Sequence, residues 1–356
     1  MQKSKQNSVN SLNSLVPPGA DSGTVVHLFP GQGDFSVSPL ARAASAQPLV
    51  RSAVAEVFEE VDKAGAEYGL DALGPALLSS TPPTGRQLAT APVGTPQLAL
   101  FGASVAVHRA LWAAGLAPDR LVGVSFGEIA ALTAAGVFGV ADGARAACEL
   151  ARLLSSCEGG MTLLAAGEDA ALSLIRRAQT PQVALACVNA PDETVLSGPL
   201  SDLSRAEALA EREGLATTRL RLPFLSHHPS LTDTAGAFAA AVRRLPAGEP
   251  RLAVHSAVQG RAYTAEDDLA RGLADCLVRP ARVPGVLRAA ARPPFALLLE
   301  AGTGPALTRA AQRFLPPERV AAHAPLAEPD FPWQQPDRPA HPRTGGALLP
   351  SAGGDS

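Results

Sequence analysis

The sequence predicts an α/β fold: a large domain built on a mostly parallel sheet, interrupted by a small ferredoxin-like subdomain. Three observations carry this reading. Short apolar runs suited to strands alternate with longer runs of helical spacing through residues 23–160 and again through 223–327. Between them, residues 161–222 change texture and run in the order βαββαβ. Finally, a G-x-S-x-G motif stands where a strand gives way to a helix.

Taken in order, Val25–Phe29 reads as a strand closed by a Pro30-Gly31 turn. Pro96–Leu116 has helical apolar spacing. Leu121–Val124 is a short strand, and Glu128–Ala135 a helix that stops at Gly136. In the small subdomain, strands are expected at Met161–Ala166, Val183–Val188, Thr194–Ser197 and Thr217–Leu222, with helices at Ala170–Ala178 and Leu203–Gly214. Residues 1–22, rich in Ser, Asn, Gln and Gly, read as a disordered leader. From residue 328 the chain becomes Pro/Gly-rich (Pro329, Pro332, Pro336, Pro339, Pro342, Pro350) and reads as a loosely packed tail.

Composition narrows the function. With 46% apolar and 18% charged residues over 356 positions, there is ample material for a core. A net charge of -3 and 4% aromatics exclude nucleic-acid binding driven by basicity or base stacking. Cys148, Cys157, Cys187 and Cys276 are too scattered for a disulfide scaffold or a zinc clip, so a reduced, cytoplasmic protein without a metal is expected. No apolar run reaches the roughly 18 to 20 residues needed to span a bilayer. Lys3 and Lys5 are followed by no apolar segment of the secretory type.

Gly123-Val124-Ser125-Phe126-Gly127 is the candidate centre. A sharp strand-to-helix corner lifts Ser125 from the sheet, and the nearby helix N-terminus favours developing negative charge. An ordinary turn with a small residue is the competing reading. A serine hydroxyl needs a base. His27 sits in the first strand and reads as a core residue. His227 and His228 stand in a loop before Pro229, where chain re-enters the large domain, and are the better candidates. As a metal site the pair lacks a third ligand at helix spacing. Pro30-Gly31-Gln32-Gly33 lacks the third glycine of a dinucleotide fingerprint, and is left as a turn that aims backbone N–H groups into a pocket, or simply ends a strand.

Six segments in order resemble one family, the malonyl-CoA:acyl-carrier-protein transacylases and the acyltransferase domains of polyketide synthases. They are Leu28-Phe29-Pro30-Gly31-Gln32-Gly33, Thr95-Pro96-Gln97-Leu98-Ala99-Leu100-Phe101, Gly123 to Glu128, Val188-Asn189-Ala190-Pro191 with Leu196-Ser197-Gly198, Ser226-His227-His228-Pro229-Ser230-Leu231, and Leu299 to Pro305. The resemblance implies an α/β-hydrolase-like large domain and ping-pong chemistry. Ser125 would be the acyl-accepting nucleophile and His227 its general base and acid. Gln32 and the Phe126 N–H would form the oxyanion hole, Asn189 would lie near the substrate, and the backbone at Cys276 would orient the histidine. It implies no resident cofactor. Phosphopantetheine thioesters, as CoA or holo acyl carrier protein, would be the substrates, and one or two acyl carrier proteins the partners. Arg145, Arg152, Arg279 and Arg282 are candidates for a carrier-binding patch.

The departures from the family pattern point to the substrate. The family's carboxylate-binding arginine, on the helix after the elbow, falls here on Leu150. Arg152, two residues on, lies on the opposite side of a helix. Leucine cannot replace a bidentate guanidinium contact. Ser226, in the stretch Phe224-Leu225-Ser226-His227, is small where malonyl-specific members carry phenylalanine, which predicts a roomier pocket. Val124 replaces the usual histidine before the nucleophile and makes the site more apolar. The expectation is a discrete acyltransferase in polyketide biosynthesis that moves an uncharged acyl group, with aminoacyl or dipeptidyl cargo as one form of it. An editing thioester hydrolase, a malonyl or methylmalonyl transacylase with a register shift restoring Arg152, and a silent carrier-binding scaffold are the alternatives. A Ser–Asp hydrolase using Asp142 is a further, minor one.

Overall fold

The computed structural model describes residues 15, 23–33 and 36–333. Strand β1 (Thr24–Phe29) leads through helices α1 (Ser38–Ala46), α2 (Pro48–Ala66), α3 (Gly74–Leu77), α4 (Gly85–Ala89) and α5 (Thr95–Ala113) to strand β2 (Arg120–Gly123) and helices α6 (Gly127–Ala134) and α7 (Val140–Leu154). The small subdomain follows as β3 (Gly160–Leu164), α8 (Glu168–Arg177), β4 (Ala184–Ala190), β5 (Glu193–Gly198), α9 (Leu200–Arg212) and β6 (Thr217–Arg219). The chain returns through a 3-10 turn (Pro229–Leu231), α10 (Thr232–Val242), β7 (Ala253–Ser256), β8 (Arg261–Ala262), α11 (Leu269–Val278), β9 (Ala281–Arg282), α12 (Val283–Ala290), β10 (Ala296–Glu300), α13 (Ala306–Phe314) and β11 (Val320–His323).

The large sheet has the order β11-β10-β1-β2-β7-β8. All neighbours are parallel except β8, which pairs antiparallel with β7 at one edge. A parallel sheet is covered on both faces, so its strands read as near-continuous apolar runs. Side chains alternate between the two faces: Phe29, Leu121, Leu297 and Leu299 join the core beneath α2, α5, α6 and α7, whereas Val26, Leu28, Val122 and Leu298 join the core beneath α12 and α13. Helix α5 is apolar nearly all round because it lies inside this layer, with Leu98, Phe101, Val107 and Leu111 buried. His27 is a core residue. Its Nδ1 meets the Nδ1 of His108 at 2.9 Å and its Nε2 donates to the Leu116 carbonyl at 2.9 Å.

The small sheet has the order β6-β3-β5-β4-β9. β3, α8, β4, β5, α9 and β6 form the ferredoxin-like unit, antiparallel throughout, with α8 and α9 buried on it through Leu174 and Leu203. Its other face contributes Met161, Ala186 and Val195 to a core shared with the large sheet. The fifth strand comes from outside 161–222: β9 pairs parallel with β4 through Cys187–Ala281 and Val188–Arg282. Two residues are too short a strand to show a period, so sequence pattern gives no sign of it.

The tail expectation is corrected where it can be seen. Phe331 and Trp333 are buried, 5.0 Å apart as an edge-to-face pair, in the core with the α2 and α5 side chains. Burying two aromatic rings outweighs the Pro-rich composition around them. The remainder of the tail, including Pro336, Pro339, Pro342 and Pro350, and the leader apart from Leu15, lie outside the described residues.

Candidate active site

β2 ends at Gly123, and α6 begins four residues later at Gly127. Ser125 occupies the corner with φ of 57°, in the left-handed region that L-residues avoid. Glycine at 127 is required by close approach: a Cβ there would run into the Phe29 carbonyl at the end of β1. Gly31 lies equally near the corner, since a Cβ on it would stand 3.3 Å from the Cβ of Ser125. Together β1 and β2 thus thrust the serine hydroxyl above the carboxyl ends of the sheet. The first helical bonds run from Gly127 N–H to Val124 O at 3.0 Å and from Glu128 N–H to Ser125 O at 2.9 Å, which leaves the Phe126 amide ahead of the helix ladder.

His227 reaches this hydroxyl from 102 residues away in sequence, its Nε2 standing 2.7 Å from Ser125 Oγ. It too is held in the left-handed region, with φ of 52°. Its Nδ1 lies 2.8 Å from the Arg279 carbonyl, which can only accept. Nδ1 therefore carries the proton, and bare Nε2 is left to accept the serine O–H. Burial pushes the imidazole down to about 4, against the opposing pull of the Arg279 carbonyl. At neutral pH the ring is a free base, the state a general base needs.

The orienting carbonyl is a correction: it belongs to Arg279, not Cys276. Cys276 lies inside α11, whereas Arg279 is the first residue past its end, with extended backbone (ψ 146°) that turns its carbonyl out of the helix. His228 points elsewhere. Its Nδ1 contacts Ser230 Oγ at 2.7 Å and its Nε2 donates to the Gln182 carbonyl at 2.9 Å.

A cleft partly open to solvent adjoins Ser125. Phe126 and Ile129 of the elbow, Leu150 and Leu154 of α7, Phe238 of α10, and Leu273, Cys276 and Leu277 of α11 line it, with Gln32 and Ser226. Among the described residues, no lining side chain is charged. Leu150 is thus in the cleft, while Arg152 is 63% exposed and paired with Glu149 at 2.9 Å. Free space for a water-sized body beside Ser125 is about 10 Å³, roughly one water. Ser226 shares the lining with Phe238, Leu154 and Leu273, which arrive from three separate helices.

Other expected residues divide. Gln32 lines the cleft, its Oε1 held by the Gln97 amide at 2.9 Å. Val124 and Phe224 are buried beside the site without lining the cleft. Asn189 is not brought into it either; its amide donates to Glu193 Oε1 at 3.1 Å and closes the β4–β5 turn. Each candidate carrier-binding arginine already has an acidic partner: Arg145 has Glu67 and Asp142, Arg152 has Glu149, Arg279 has Asp275, and Arg282 has Glu168. Asp142 is accordingly tied up on α7 rather than serving Ser125. All four cysteines are free thiols. Among the described residues no cluster of three or more His, Cys, Asp or Glu side chains is placed to hold a metal, and no helix is long and apolar enough to cross a membrane.

Glu128, three residues past the nucleophile, is fully buried. It accepts hydrogen bonds from Ser256 Oγ and Tyr263 OH, each at 2.7 Å. Burial pushes its carboxyl up to about 7. Its partners lie 128 and 135 residues downstream, so only the elbow motif itself hints that a residue of consequence stands here.

Comparison with known proteins places the chain in a family. Residues 29–335 match the model of the acyl transferase domain. Over 252 residues, 68% of the chain, it is 30% identical to the phenolphthiocerol synthesis polyketide synthase type I Pks15/1 of Mycobacterium marinum, and it covers 11% of that protein. The chain thus spans about a tenth of the length of this relative. Among solved structures, the malonyl-CoA:acyl carrier protein transacylase of Xanthomonas oryzae aligns with a TM-score of 0.75 and 27% identity, over 87% of this chain and 96% of that one. The acyl transferase domain of SpnD, solved with 2-(pent-4-yn-1-yl)malonyl, aligns with a TM-score of 0.73 and 27% identity, over 87% and 72%. The chain belongs to the acyl transferase domain family and is an acyltransferase.

Proposed function

We propose that the chain moves an uncharged acyl group between phosphopantetheine thiols through an acyl-Ser125 intermediate, with an acyl carrier protein as acceptor, in polyketide assembly. His227 Nε2 takes the Ser125 proton as Oγ attacks the thioester carbonyl. The Phe126 N–H and the Gln32 segment face the developing oxyanion, and the protonated imidazole returns its proton to the leaving thiol. The carrier thiol then enters, gives its proton to His227 and attacks the ester carbonyl; as the bond to Ser125 Oγ breaks, the imidazolium returns that proton to Oγ and the acyl group leaves on the carrier. Thioester exchange is nearly thermoneutral, so positioning and oxyanion stabilisation account for most of the acceleration.

Leu150 is the observation that carries the choice of substrate. It stands in a cleft without a cation, where seating a free carboxylate would cost several kcal/mol, on the order of a broken buried ion pair. Among the described residues the same lining offers no carboxylate to an ammonium group, which favours a neutral acyl chain over a free aminoacyl one. The test is to isolate acyl-enzyme and follow its acyl group with and without holo carrier protein. Loss to the carrier thiol, dependent on Ser125 and absent in Ser125→Ala, supports transfer. Equally fast loss to water alone identifies a thioester hydrolase instead.

A further inference from the structure

We propose that Glu128, Ser256 and Tyr263 act as positioning residues that fix the Ser125–His227 contact, by tying the elbow helix to the segment whose carbonyl holds His227. The inference rests on the Ser125–His227 reading and adds to it.

A hydrogen-bonded path joins the two sides. Glu128 lies in the first turn of α6, and the backbone is fitted to it: a Cβ on Gly123 would stand 2.6 Å from its Cγ. From Glu128 Oε1 the path passes to Ser256 Oγ at 2.7 Å. That oxygen accepts the backbone N–H groups of Val258 at 3.2 Å and Gln259 at 3.1 Å, which pins the turn after β7. The Gln259 amide donates to Asp275 Oδ2 at 3.3 Å, and the same oxygen accepts from Arg279 Nη1 at 3.1 Å. Arg279 then presents its carbonyl to His227 Nδ1 at 2.8 Å.

A second arm is steric. From Glu128 Oε2 the chain reaches Tyr263 OH at 2.7 Å, and the Tyr263 ring lies so close on α11 that a Cβ on Gly272 would stand 2.6 Å from it. Both arms reach α11, one on its body at Gly272 and one through Asp275 to Arg279, the first residue past its end. Two catalytic groups held at positive φ have no local preference for their own geometry, so a rigid link between their supports is what keeps them 2.7 Å apart. An apolar side chain would fill the space of Glu128 at lower cost, whereas only a two-oxygen acceptor serves both arms at once.

The test compares wild type with Tyr263→Phe and Ser256→Ala, each of which removes one hydroxyl. Labelling by a fluorophosphonate reads the activated serine without needing the natural substrate. The inference predicts a fall of about tenfold in the maximal labelling rate, with the reagent's half-saturating concentration little changed, because small misplacements of reacting groups cost rate rather than binding. It also predicts a moved NMR signal for the His227 Nδ1–H proton, assigned by its loss in His227→Ala. If either readout keeps its wild-type value in both variants, the inference is overturned. Should Tyr263→Phe fail to fold, Ser256→Ala and Glu128→Gln decide by the same two readouts. If wild type itself is not labelled, the Ser125 reading fails, and the Nδ1–H signal alone decides the network.

Discussion

On the proposed preference for neutral acyl groups, replacing Leu150 with arginine should shift the cleft towards carboxylated ones. Leu150 is 6% exposed and shares the cleft with Ser125. Seating malonyl there without a cation costs about 3–5 kcal/mol, the range seen when one member of a buried ion pair is lost. Arginine is longer than leucine, and the cleft has free space for about one water, so forcing it in costs about 1–3 kcal/mol. The difference leaves about 2 kcal/mol, or roughly a 30-fold gain in kcat/KM for malonyl-CoA. The double variant Leu150→Arg with Leu154→Ala makes room for the guanidinium and should gain more. The assay is initial-rate loading of the enzyme with malonyl-CoA and with butyryl-CoA, with thermal melting as the control for folding. If both folded variants take malonyl no better than wild type, Leu150 does not face the acyl group and the argument from the missing cation falls.

Other consequences concern the histidines and a buried carboxyl. His227→Ala should lower acyl transfer by roughly 10²- to 10⁴-fold. His228→Ala should be far milder, because both its ring nitrogens serve the loop; a larger loss in His228→Ala would reverse the two roles. Glu300 caps α13 by accepting the N–H groups of Leu307 at 3.1 Å and Thr308 at 2.8 Å, and burial pushes its carboxyl up to about 7. A raised value means that the folded chain keeps a proton which the unfolded chain releases above about 4.5. The group's contribution is therefore complete below that pH and is lost as pH rises through 7. Glu300→Gln, neutral throughout, should gain on wild type between pH 4.5 and 8 by up to about 3 kcal/mol of unfolding free energy. An equal difference at both ends of that range would contradict the linkage.

Much of this was legible in the sequence because its signals are local. The elbow shows itself by glycines two positions either side of Ser125 at a strand-to-helix boundary, and the βαββαβ unit announces itself by alternating periods. What escaped is non-local or backbone-borne. Any residue has a carbonyl, so nothing in the side chains near 276–279 distinguishes Arg279 from Cys276; the end of α11 decides it. Cleft width depends on Phe238, Leu154 and Leu273, which three separate helices bring together. β9 shows no pattern in two residues, and its place beside β4 follows from the chain's return path. Phe331 and Trp333 were masked by surrounding prolines, although their size alone argues for burial.

The most direct measurement exposes wild type and Ser125→Ala to an equimolar mixture of butyryl-CoA and malonyl-CoA and maps the modified peptide by mass. The account predicts a butyryl adduct on the Ser125 peptide of wild type and none on the variant. A predominant malonyl adduct, or an acyl group carried on any other residue, would contradict it.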